Sequence, residues 1–151
     1  MILIPLLMAL AAPHPSDRLF DAPADISALQ PLNGQPLWVL MSRCAKAGYD
    51  DSERLENSPF TELDKTMAAS YGMSVEERRE KELAGYEEAV KSYLELAIVS
   101  LAADRGMEEE AAKTFMFEQF LQADPLRVKY IGNSGFATDA CPAIRDLAGE
   151  A

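Results

Sequence analysis

The chain has 151 residues, enough for one domain with little room for a second. It carries 25 Asp and Glu against 14 Lys and Arg, a formal net charge of -11. That balance repels phosphate backbones and anionic lipid, which argues against nucleic acid and bare membrane as partners and leaves basic proteins, cationic peptides and metal cations open.

The first eleven residues, MILIPLLMALA, read as a signal peptide. The apolar run is about half the length that spans a bilayer, and Ala9 and Ala11 form a small-x-small pair for cleavage. Positive charge ahead of the run comes only from the amino terminus. The expected location is periplasmic or secreted, with no stable membrane span after cleavage. Residues 12–35 hold Pro13, Pro15, Pro23 and Pro31 with Gly34, and are expected to be a largely disordered linker with one short helical turn near residues 24–29.

From residue 36 to the end, helix signals dominate. Pro36 suits a first turn and Gly48 a C-terminal cap, with Leu37, Leu40, Met41 and Cys44 at helical spacing between them. Residues 49–57 are polar and read as a loop. Ser58-Pro59 then opens a helix that Gly72 ends, with Leu63, Met67 and Tyr71 as its apolar stripe. Ser74 and Glu77 form a capping box, in which the hydroxyl and the carboxylate each satisfy a free backbone N–H. The helix they open runs to about residue 103, with Gly106 as stop signal, and is about 45 Å long. Its second half, residues 93–103, is apolar on most sides and is the expected centre of the core. Residues 107–122 make the next helix, with Glu108, Glu109 and Glu110 at its positive end. Asp124-Pro125 starts a short helix to residue 131, residues 132–139 form a loop with Phe136 as its anchor to the core, and Cys141-Pro142 begins a last helix to residue 147.

No segment sustains period-two alternation. The expected fold is therefore all-α, a compact bundle of four or five helices. The even cysteine count in an exported chain favours a Cys44–Cys141 disulfide, joining the first and last core helices. In a chain-entropy treatment so long a loop is worth about 4 to 5 kcal/mol.

Much familiar chemistry has no residues to carry it. The single histidine, His14, lies in the linker, so the domain holds no Ser-His-Asp or Cys-His arrangement and no histidine-ligated metal or haem. Residues 50–53 lack EF-hand spacing, and neither a P-loop nor a dinucleotide-binding glycine pattern occurs. No cofactor, catalytic residue or metal ligand is assigned. Among the carboxylates, Glu95 has the most apolar sequence neighbours, which burial would turn into a general acid, although its helical position points toward the rim of the core.

The helix around Phe115, Met116, Phe117, Phe120 and Leu121 is more informative. With Ala112 these residues cover about 240° of the helical wheel, more than a helix packed on one side requires. Either neighbours bury it on two sides, or part of it is a binding surface for another protein or a second copy. The leading expectation is an exported, non-enzymatic interaction domain that uses this surface. The alternatives are a carboxylate-dependent hydrolase of glycans, needing two carboxyl groups across a cleft, and a bundle enclosing a small apolar ligand.

Overall fold

The computed structural model describes residues 14–131 and 135–149. Residues 1–11, read as a signal peptide, lie outside them, as do residues 132–134 of the glycine-containing loop.

Among the described residues the chain forms five α-helices and one two-stranded ribbon: α1 (Leu37–Asn57), α2 (Glu62–Ser70), α3 (Val75–Arg105), α4 (Glu109–Gln122), β1 (Lys129–Ile131), β2 (Ala137–Asp139) and α5 (Ala140–Gly149). The fold is a helical bundle, and a disulfide joins Cys44 on α1 to Cys141 on α5 with their Cα atoms 5.7 Å apart. That spacing is ordinary for a bridged pair, and both cysteines are buried.

Helix α1 starts where Pro36 ends the preceding extended stretch, and the Pro36 carbonyl accepts from Val39 and Leu40. Contrary to the sequence expectation it does not stop at Gly48. It continues through the segment expected to be a loop, and Ser58 closes it by bonding back to Leu55. Gly48 has another task. A Cβ at that position would lie 2.9 Å from Val90 Cγ2, so the glycine lets α1 and α3 approach closely. The two helices run antiparallel. Trp38 stacks under Arg105 at one end, Gly48 meets Val90 midway, and Arg79 reaches the Ser58 carbonyl at the other.

Helix α3 begins at Ser74, whose hydroxyl accepts from the Glu77 N–H at 3.1 Å. It ends at Gly106, which adopts φ 61°, the left-handed conformation that suits glycine at a helix end. Tyr93, Leu94, Ala97, Ile98 and Leu101 are buried, so the expected centre of the core is where the residues place it. Helix α2 starts later than Ser58-Pro59 suggests, because Thr61 and Asp64 make the reciprocal capping pair. Its expected apolar stripe is not core: Leu63 and Tyr71 are about two-thirds exposed, and Ala68 is its buried residue.

Two further expectations change. Residues 123–131 do not form a helix. Asp124 precedes a proline, which biases it to extended backbone, and the Leu126 N–H goes to the Arg43 carbonyl on α1. Val128 and Tyr130 are half-buried while Arg127, Lys129 and Ile131 are exposed, a period-two pattern too short to stand out in sequence. β1 pairs antiparallel with β2 in the register Lys129–Asp139, Tyr130–Thr138 and Ile131–Ala137. Phe136, expected as an anchor, is 74% exposed beside the ribbon.

The proline-rich stretch, expected to be a largely disordered linker, is a packed strap over residues 14–36. Phe20, Leu29 and Leu32 are buried, the last two on a 3-10 helix, Ser27–Leu32. Backbone bonds from Phe20 to Gln35, Gly34 to Phe20 and Leu37 to Arg18 close the strap on itself. Asp17 fastens it to α3: its two carboxylate oxygens accept from Arg105 Nε and an Arg105 terminal nitrogen, both at 3.0 Å. The Asp17 side chain is fully buried and Arg105 is 10% exposed. Burial opposes the charged form, but the Arg105 guanidinium and the His14 backbone N–H outweigh it and hold Asp17 below the usual carboxylate range.

Candidate functional site

The five residues singled out on α4 divide between core and surface. Met116 is fully buried, and Phe115 and Phe120 nearly so. Phe115 meets the Trp38 ring edge to face at 5.8 Å, and Phe120 meets Tyr49 in the same way at 5.8 Å. Both partners lie on α1, so this side of α4 is a packing face. Phe117 and Leu121 point outward, 44% and 52% exposed.

Phe117 borders an open groove of about 800 Å³ between α1, α3 and α4. Each helix supplies one stripe at helical spacing. From α1 come Tyr49, Ser52, Glu53 and Glu56; from α4 come Glu109, Lys113 and Phe117. The floor is α3, where Val90, Leu94 and Ile98 follow one another at steps of four, with Val99 exposed at the edge. The groove is thus apolar at its base and charged along its rims. The Tyr49 hydroxyl donates to Glu53 Oε1 at 3.0 Å, and that carboxylate raises the phenol above its ordinary range. Lys91 lies 4.0 Å from Glu95 on the α3 rim.

Glu95, the carboxylate with the most apolar sequence neighbours, is 65% exposed in its side chain, so the burial that would make it a general acid is absent. His14 is exposed and bonds to Ser16. Among the described residues no cluster of three His, Cys, Asp or Glu side chains is placed to hold a metal ion, and no helix is long and apolar enough to cross a membrane.

Sequence reasoning found Phe117 but missed the walls around it. Reading residues 49–57 as a loop hid the i, i+3, i+4, i+7 stripe that Tyr49, Ser52, Glu53 and Glu56 form on a continuing helix. Val90, Leu94 and Ile98 carry an apolar signal, but helical spacing alone does not separate a groove floor from a core. No known protein family, curated protein or solved structure matches the chain.

Proposed function

We propose that this protein is an exported, non-enzymatic binding domain that receives a helical segment of another protein in the groove between α1, α3 and α4. The observation that carries the reading is the groove itself: three helices present parallel stripes around an apolar floor, the geometry of helix-in-groove recognition. The exposed Phe117 and Val99 supply apolar contacts at its edges. Export is supported by the buried disulfide, since such bonds persist in oxidising compartments, together with the apolar stretch at residues 1–11.

The test is a random-peptide display selection on the wild-type protein, with counter-selection on a Val99→Ser, Phe117→Ser variant. Both side chains are exposed, so the variant keeps its core. The expected result is enrichment of sequences with apolar residues at i, i+3 or i+4, and i+7 that bind wild type and lose binding to the variant. Absence of enrichment, or equal binding to both proteins, contradicts the reading.

A further inference from the structure

We infer that the segment this groove takes is a cationic amphipathic helix of about three turns, with Lys or Arg flanking a single apolar stripe; the inference rests on the groove being a binding site. Three observations carry it: length, volume and charge.

The floor and its rim run along α3 from Glu87 to Val99. At 1.5 Å per residue this is about 18 Å, or a little over three helical turns. A helix that long and about 10 Å wide, sunk to half its depth, fills about 700 Å³. The groove holds about 800 Å³, a volume that matches a helix of that length.

The rim chemistry selects the charge of the occupant. Five glutamates line the groove, namely Glu53 and Glu56 on α1, Glu87 and Glu95 on α3, and Glu109 on α4. All five are exposed. Against them stand Lys91 and Lys113, and Lys91 already faces Glu95. The balance is three negative charges around an apolar floor, on a chain whose net charge is -11. A helix with an apolar stripe and basic flanks places Leu-type side chains on Val90, Leu94 and Ile98 and its cations beside the glutamates. An anionic helix of the same shape meets like charge on three sides. Exposed rim charges act through steering and selectivity and are screened by salt, so the preference must weaken as ionic strength rises.

The experiment uses three stapled helical peptides of about 14 residues with one leucine stripe each. Their polar faces are lysine, glutamine or glutamate, and binding to the full chain is followed by fluorescence anisotropy. The expected order of affinity is lysine, then glutamine, then glutamate. The lysine peptide should lose about tenfold or more between about 20 mM and about 500 mM salt. A Glu53→Gln, Glu56→Gln, Glu87→Gln variant should bring its affinity down to that of the glutamine peptide, and Phe117→Ser should weaken it further.

Equal, salt-insensitive binding of all three peptides that Phe117→Ser abolishes overturns the cationic preference and leaves the groove reading standing. If no peptide binds, both fall. Binding of the lysine peptide that is indifferent to Phe117→Ser marks adsorption on the acidic surface and overturns the inference. Dimerisation of the protein alone that Phe117→Ser disrupts identifies a second copy as the occupant and overturns it as well.

Discussion

Replacing Asp17 by Asn takes a buried carboxylate away from Arg105. The carboxylate binds the guanidinium through both oxygens at 3.0 Å, its side chain is fully buried, and Arg105 is 10% exposed. Removing one partner of such a buried pair costs about 3 to 5 kcal/mol. Arg105 also lies over the Trp38 ring, 5.3 Å from its centroid, and keeps that contact, so the lower end applies: about 3 kcal/mol. For a chain of this size that corresponds to about 6 to 12 °C in melting temperature. Thermal unfolding followed by circular dichroism at pH 7 reads it.

The pH dependence supplies a second check. Asp17 is held below the usual carboxylate range in the folded state. Its stabilisation is therefore present above its unfolded value, near 3.9, and is lost as pH falls below that through the folded value. The gap between wild type and Asp17→Asn should be full at pH 5 to 7 and shrink progressively as pH falls below about 3.9. An apolar double replacement, Asp17→Leu with Arg105→Met, should be less destabilised than Asp17→Asn alone, since it removes the buried guanidinium along with the carboxylate. A single variant melting within about 2 °C of wild type, or a gap that persists unchanged into acid, refutes the reasoning.

Other expectations follow from the same packing. Reducing the disulfide, or replacing Cys44 or Cys141 by Ser, opens a loop whose ends are 97 residues apart; calorimetry with and without reductant should register a loss of about 4 to 5 kcal/mol. Gly48→Ala gains about 1 kcal/mol of helix propensity but drives a methyl toward Val90, whose β-branched side chain strongly prefers one rotamer in a helix. The net effect should be destabilising by about 1 kcal/mol in urea titration, and Val90→Ala in the same chain should relieve it. Phe120→Ala should cost about 3 kcal/mol while the exposed Phe117→Ala costs under about 1 kcal/mol, separating the two sides of α4 by stability alone.

The elements easiest to read in sequence were those whose local signals agree with their surroundings. Ser74 and Gly106 bracket α3 because capping chemistry is local, and Tyr93, Leu94, Ala97, Ile98 and Leu101 in its apolar second half are core. The cysteines pair as their even count suggests. Two of the failures share a cause: each depends on a partner distant in the chain. Gly48 looks like a cap until Val90 is placed against it. The strap over residues 14–36 has a linker's composition, but Asp17 finds Arg105 across 88 residues, and fixed proline backbones reduce the entropy lost on ordering it. The Leu63, Met67 and Tyr71 stripe has correct helical spacing, yet Leu63 and Tyr71 are about two-thirds exposed. Of the candidate site, Phe117 was visible as one residue too many on an apolar wheel. The groove beside it exists only once α1 runs past Gly48 and lies antiparallel to α3.

The most direct test of the binding site is an amide chemical-shift titration of the isotopically labelled protein with the leucine-lysine helix. The perturbed residues should gather on the three walls of the groove, at Tyr49 and Glu53, at Val90, Leu94 and Ile98, and at Lys113 and Phe117. Perturbations that instead gather on the exposed stripe of α2 or on the β1–β2 ribbon, or a spectrum the peptide leaves unchanged, would contradict this placement.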